Sequence, residues 1–263
     1  MVNAASYRYY VGIINRLFFV VFTLGCFMRF GFTKLAAIAG CLMSLSSVSN
    51  ADFEVDLGFA SEYVRDGIKQ SNAKPVLQLG GLYSSQSGLY GGLWMSGIER
   101  GSPDSTRFEL DGYAGFYYPL TSFMAVDLGY TRATFLGDAE TSKQAYNEGF
   151  FNILLNNETT LGYRLADDYL GTGVDLQTLE LAHTINSGEF GFEFSTRQHR
   201  YLKVSEEVNW GNENRDNYFH FRVGVARSYN EHNLSLGIEK SNLSSSFDAS
   251  THIVFTYARN FQF

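Results

Sequence analysis

The sequence predicts an all-β fold: a transmembrane, up-and-down antiparallel β-barrel of about twelve strands, preceded by a cleaved signal peptide. Three observations predict it. Apolar and polar residues alternate with the strand period of two through most of the chain beyond residue 51. The connections between these segments alternate between short and long. The final strand carries an aromatic face that runs to the carboxyl terminus.

The first 51 residues hold four cations, Arg8, Arg16, Arg29 and Lys34, and no acid. A secretory signal fits residues 28–51: a charged start at Met28–Lys34, an apolar run from Leu35 to Leu45, and the small residues Ser49 and Ala51 at the cleavage-reading positions. Cleavage after Ala51 leaves residues 52–263 as the barrel. Residues 1–27 read as an upstream mis-start, with Met28 as the initiator, or as an extension of the signal. Ile38-Ala39-Gly40-Cys41 also resembles a lipoprotein processing box, but the apolar run continues past Cys41 to a better site. Both cysteines, Cys26 and Cys41, fall in the removed part, so the mature chain has no disulfide. Of 20 Lys and Arg, 20 − 4 = 16 remain against 27 Asp and Glu, a net charge of −11 that argues against a nucleic-acid partner.

Beyond residue 51 no run of 18 apolar residues occurs, so a helical span is excluded there. Tyr (17) and Phe (23) far outnumber Trp (2), and with 26 Gly and only 3 Pro this suits many short strands rather than a disordered chain. Alternating segments are centred near residues 56, 80, 92, 112, 127, 151, 163, 182, 192, 222, 236 and 257. One face of each is Leu, Ile, Val, Phe and Tyr, with His183 and Arg259 as exceptions. The other face carries Glu54, Asp56, Glu109, Asp111, Asp127, Glu148, Arg164, Glu180, Glu193, Arg197, Arg222 and Glu239. Burying so many charges in a dry core costs several kcal/mol each unless they are paired. A wet lumen avoids that cost, so the apolar face is expected to meet lipid and these twelve residues are the candidates for setting selectivity. Tyr90, Trp94, Tyr113 and Phe150 share the inner face and are expected to narrow it.

Short turns are expected at Ser84–Gly88, Tyr118–Thr121, Asn156–Asn157, Asn186–Gly188 and Tyr229–Asn230. Longer connections are expected at Gly67–Ala73, Glu99–Ser105, Leu136–Gln144, Asp167–Asp175, Ser205–Arg215 and Ser241–Ser250. Short turns on one rim and long loops on the other are what outer-membrane barrels show. The last strand places Tyr257, Phe261 and Phe263 on its oily face, the form of the terminal signal that barrels present to their assembly machinery.

Ser61-Glu62-Tyr63-Val64-Arg65-Asp66-Gly67-Ile68-Lys69-Gln70-Ser71, Lys74-Pro75 and Gly88-Leu89-Tyr90-Gly91-Gly92-Leu93-Trp94-Met95-Ser96 together resemble the opening of the TorF-type porin-like family of proteobacteria. Asp167-Asp168-Tyr169-Leu170-Gly171 looks like that family's later Asp-Tyr-x-Gly loop. The chain departs from the pattern before the turn glycine, where Arg65 and Asp66 stand in place of an aromatic and an arginine. The resemblance implies an outer-membrane barrel with pore-like function and supplies no catalytic residues.

His183, His199, His220, His232 and His252 lack metal-ligand spacing, so no metal site and no cofactor are expected. Asp138 with Glu140, and Asp167 and Asp168 with Asp175, lack calcium-loop spacing and read as solvated loop charge. No nucleophile motif is found, so an enzyme is not expected. The expected function is passive diffusion of small hydrophilic solutes through the outer membrane, with cations favoured by nine lumen acids over three arginines. The expected partners are outer-membrane lipids, the barrel-assembly machinery and the solutes themselves. The alternatives are a non-conducting structural or adhesion barrel and an outer-membrane hydrolase.

Overall fold

A computed structural model describes residues 51–99, 106–137, 141–203, 215–243, 247 and 250–263. The upstream segment 1–27 and the signal peptide 28–51, Ala51 excepted, lie outside the described residues, as do most of the expected loops Glu99–Ser105 and Ser205–Arg215 and the pair Asp138 and Glu140.

Twelve antiparallel strands close into a barrel. They are β1 (Ala51–Ala60), β4 (Val76–Ser85), β5 (Leu89–Gly97), β6 (Phe108–Pro119), β7 (Met124–Leu136), β8 (Tyr146–Leu155), β9 (Thr159–Asp167), β10 (Leu176–Ser187), β11 (Phe190–Tyr201), β12 (Asn217–Tyr229), β13 (His232–Ser241) and β14 (Thr251–Gln262). From β4 onward each strand pairs with its sequence neighbour, and β1 closes the ring between β4 and β14. The register of closure sets Asp56 opposite Asn260 on one side and Gly80 on the other. Closure removes every strand edge, which a bilayer requires because lipid offers no partner for a bare N–H or C=O. Phe263 extends the seam: its N–H donates to the Phe53 carbonyl at 2.9 Å, and the two rings lie 6.1 Å apart.

The turns follow local chemistry. Asn156 and Asn157 both take left-handed φ (54° and 58°), the geometry of a tight hairpin turn matched to strand twist. Gly88 sits at φ 91°, where a Cβ would collide with the Tyr117 carbonyl.

The two faces separate as the alternation demands. Leu93 is 61% exposed, Val223 53% and Ile253 65%, whereas Glu109, Asp111 and His199 on the inner face are 0% exposed. This inverts a soluble barrel, whose interior must be apolar. The two exceptions on the oily face are both partnered. His183 shares a hydrogen bond with Thr159 at 2.8 Å, and Arg259 stacks over Phe261 and pairs with Glu231.

One element is additional to the expected strands. Between β1 and β4, β2 (Val64–Arg65) and β3 (Ile68–Lys69) form a two-stranded hairpin joined by Asp66–Gly67. The sequence reading began a surface loop at Gly67; the chain instead turns there, inside the barrel.

Candidate functional site: a hairpin in the lumen

Asp66 and Gly67 lie at φ 52° and 80°. Left-handed φ at both central residues defines the type I′ turn, for which Asp-Gly is a favoured pair. Gly67 is also required by contact, since a Cβ there would stand 2.8 Å from Ser241 Cβ and 3.0 Å from His220 Cδ2. The turn therefore presses directly on β12 and β13.

The side chains of the tip reach other walls. Arg65 forms an ion pair with Glu109 and lies 3.5 Å from Asp111 Oδ2, both on β6. Tyr63 Oη donates to Glu109 Oε2 at 2.9 Å. Asp66 Oδ1 accepts from Arg197 Nη1 (3.2 Å, β11) and Arg164 Nη2 (3.5 Å, β9). Tyr218 Oη on β12 donates to the Asp66 carbonyl at 3.0 Å. The tip thus spans the lumen, cation toward β6 and carboxylate toward β9 and β11. Burial alone would raise the Asp66 carboxyl, but His199, Arg164, Arg197 and Arg65 outweigh it and hold the group well below the usual carboxylate range.

An apolar layer roofs the tip. Ile98, Phe135, Tyr146, Tyr169, Leu176 and Tyr218 belong to one buried cluster against which Tyr63, Ile68 and Leu170 pack. Tyr169 comes from the β9–β10 loop, and its ring lies 4.9 Å from that of Tyr146. The neighbouring Leu170 takes φ 56°, an outlier for a bulky side chain that its place against this cluster sustains. In the same loop Asp168 accepts from the Gly173 N–H at 2.6 Å, and Asp175 accepts from the Asp168 N–H at 3.3 Å, so these acids shape the loop.

Below the tip lies a cavity of about 300 Å³, bounded by Arg65 and Asp66 above and reaching Asn157 and Glu158 in the β8–β9 turn. One wall, on β5 to β8, is aromatic: Tyr90, Trp94, Tyr113 and Phe150. Glycines seat most of these rings. A Cβ at Gly92 would lie 2.5 Å from Tyr113 Oη, and one at Gly129 would lie 2.5 Å from the Phe150 ring. The aromatics line the lumen as expected, but Tyr90, Tyr113 and Phe150 lie over glycine backbone, Trp94 meets the Tyr63 ring at 5.5 Å, and the hairpin is what fills the outer half. The opposite wall alternates charge. Arg164 faces Glu148 (3.6 Å), Arg197 faces Glu180 (2.9 Å), and Arg222 pairs with Glu239 and lies 3.7 Å from Glu193.

All twelve candidate lumen residues lie on the inner face, in three groups. Glu109 and Asp111 are covered by the tip; Glu148, Arg164, Glu180, Glu193, Arg197, Arg222 and Glu239 form the charged wall; Glu54, Asp56 and Asp127 are held by neutral donors. Asn260 donates to Glu54 (3.1 Å) and Asp56 (3.0 Å), and Tyr90 and Asn152 donate to Asp127 (2.6 and 3.1 Å). The twelve candidates do not include Tyr63, Asp66, His199, His220 or Tyr218, which also meet at this site. An Asp-Gly pair between two short runs was the available signal.

Two clusters bear on other chemistry. Ligand atoms of Asp66, His199 and His220 come within 4.8 Å of one another, yet two guanidiniums already occupy the Asp66 carboxylate, which opposes a divalent cation there. Ser250 Oγ, His252 and Glu62 follow the order of nucleophile, base and orienting acid. Ser250 Oγ lies 3.5 Å from His252 Nε2, and His252 Nδ1 lies 3.1 Å from Glu62 Oε2.

A closed twelve-stranded barrel with an apolar exterior, a charged interior and loops sorted by length is an outer-membrane β-barrel. Residues 45–259 match the family described as "Bacterial protein of unknown function (Gcw_chp)", and the chain belongs to that family. The fold is similar to that of the NanC porin, at 9% identity and a TM-score of 0.52 over 80% of this chain and 98% of the porin. The KdgM porin aligns at 8% identity and 0.44 over 81% and 98%, and OprD from Pseudomonas aeruginosa at 12% and 0.38 over 82% and 65%. No curated protein sequence matches the chain.

Proposed function

We propose that this protein is a porin-like channel for passive diffusion of small hydrophilic solutes, constricted by its β2–β3 hairpin and preferring cations. One observation carries the reading: a cavity with one charged and one aromatic wall runs from the β8–β9 turn to the hairpin inside a barrel whose exterior suits lipid. The TorF-type resemblance agrees with it. The cation preference rests on the inner carboxylates that no arginine neutralises in the hydrogen bonds described above. Asp127 lines the cavity and is held by Tyr90 and Asn152, and Asp56 is held by Asn260, so neither is paired with an arginine in these contacts.

The test is a planar-bilayer recording in a salt gradient, on the wild type and on a barrel with residues 64–69 replaced by a Gly-Ser bridge. A reversal potential favouring the cation in the bridged barrel supports the proposal. Anion preference removes the selectivity claim. Silence from both barrels, when both are folded, is the result expected of the alternative reading, a structural barrel, which the filled outer half of the lumen favours.

A further inference from the structure

The residues that grip the hairpin form a socket with two poles. Glu109 and Asp111 on β6, both fully buried, make one pole and hold the Arg65 guanidinium. Arg164 and Arg197 on β9 and β11 make the other and hold the Asp66 carboxylate. The arginine pole is backed from the wall. Glu148 and Glu180 lie 3.6 and 2.9 Å from the two arginines and fix them, while Tyr63 of the hairpin segment adds a 2.9 Å hydrogen bond from its Oη to Glu109 Oε2. His199 Nε2 is buried, makes no hydrogen bond among the described residues, and lies 3.7 Å from Asp66 Oδ1, facing the same pole. The occupants belong to adjacent residues, so a single Arg-Asp dipeptide bridges the two poles. The cavity begins directly beneath them, with Arg65, Asp66, Arg164 and Arg197 all at its boundary.

We propose that this socket is a solute-binding site whose hairpin is a tethered occupant, and that it accepts small zwitterions bearing a guanidinium or ammonium group and a carboxylate. The chemistry is selective in both directions. A bare cation satisfies the β6 acids but leaves Arg164 and Arg197 without the carboxylate they share. A bare anion does the reverse. Only a bipolar solute replaces both interactions that the departing tip gives up, and charge-assisted pairs are the strong ones. The inference deepens the channel reading, on which it rests for the route by which solute arrives.

The test is calorimetric binding of L-arginine, agmatine and acetate to the full barrel in detergent. Agmatine keeps the guanidinium but lacks the carboxylate, and acetate has only the carboxylate. A tethered competitor acts at millimolar effective concentration, so neutralising the tip with Arg65→Gln and Asp66→Asn is expected to strengthen L-arginine binding about tenfold or more over wild type. Agmatine and acetate are expected to bind at least about tenfold more weakly than L-arginine, each having lost one charge-assisted pair. Adding Arg197→Gln is expected to abolish the difference between L-arginine and agmatine. If the double variant fails to fold, Gly67→Val displaces the tip with its charges intact and is read in the same way. Equal binding of L-arginine and agmatine to a folded tip variant overturns the proposal, as does equal L-arginine binding by wild type and variant. Because the readout is binding, a barrel that discriminates but passes no current keeps the socket and loses the channel. A barrel that conducts without discriminating does the opposite.

Discussion

The two halves of the lumen use the same alternating strands to opposite ends. Near the long-loop rim, inward positions are large or charged and converge on an inserted segment. Phe135, Tyr146, Leu176 and Tyr218 roof it, and Glu109, Asp111, Arg164 and Arg197 grip it. Near the short-turn rim, Gly92, Gly115 and Gly129 give rings a seat on the wall, and Thr160, Ser195, Ser235 and Thr256 elsewhere around the ring are small. The difference teaches that barrel width alone does not decide whether a lumen is open. Twelve strands enclose both halves equally. What differs is whether inward side chains find a partner across the lumen or lie along their own wall.

The largest expected effect comes from emptying the filled half. If docking of the hairpin is worth about 3 kcal/mol, roughly what breaking a buried ion-paired contact costs, undocked barrels number under about 1%. Replacing residues 64–69 with a Gly-Ser bridge is then expected to raise mean current about a hundredfold in bilayer recordings. A smaller rise measures how leaky the docked hairpin already is. No rise in a folded barrel means that the roof, not the hairpin, is the barrier.

The comparison also assumes one continuous lipid-facing wall around both halves. Leu93, at the middle of β5 and 61% exposed, tests it. Leu93→Arg is expected to lower folding stability in lipid vesicles by about 2–4 kcal/mol, the cost of an arginine at the bilayer midplane. Ser235→Arg, on the inner face of β13, is expected to change it by less than about 1 kcal/mol, since water reaches the cavity it lines. Equal penalties would reverse the assignment of faces. The open half can be disturbed more gently. Gly129→Val drives a side chain into Phe150 and is expected to cost about 1–3 kcal/mol by overpacking, read from the temperature at which the folded band is lost on unheated gels.

The strand count, the faces, the alternation of loops and the inward direction of the twelve charges were all legible, because a period of two leaves a signature in every segment. The hairpin was not. Val64-Arg65 and Ile68-Lys69 are too short to show a period. What placed them was long-range pairing with distant strands, Arg197 lying 131 and Tyr218 152 residues from Asp66. Two of the stretches that resemble the TorF-type family, Ser61–Ser71 and Asp167–Gly171, meet in this same assembly. Arg65 lies 5.7 Å from the centre of the Tyr146 ring, and the Tyr169 ring lies 4.9 Å from that of Tyr146. A motif that looked like two unrelated loops is one plug and its cover.

The smallest expected effect is an absence of response to mild acid. Arg65→Gln isolates the Asp66 half of the grip, so that the β6 acids no longer contribute. The Asp66 carboxyl is depressed in the docked state, and a depressed acid stabilises docking fully above its ordinary pKa of about 3.9. That contribution is lost only as pH falls through the lowered, docked value. Between pH 7 and pH 5 the residual current of this variant is therefore expected to stay constant. A current that climbs as pH drops from 6 to 5 would mean that Asp66 titrates in its ordinary range or above, without the cage of Arg164 and Arg197, and the distinction between a gripped outer half and an open inner half would fail at the residue that defines it.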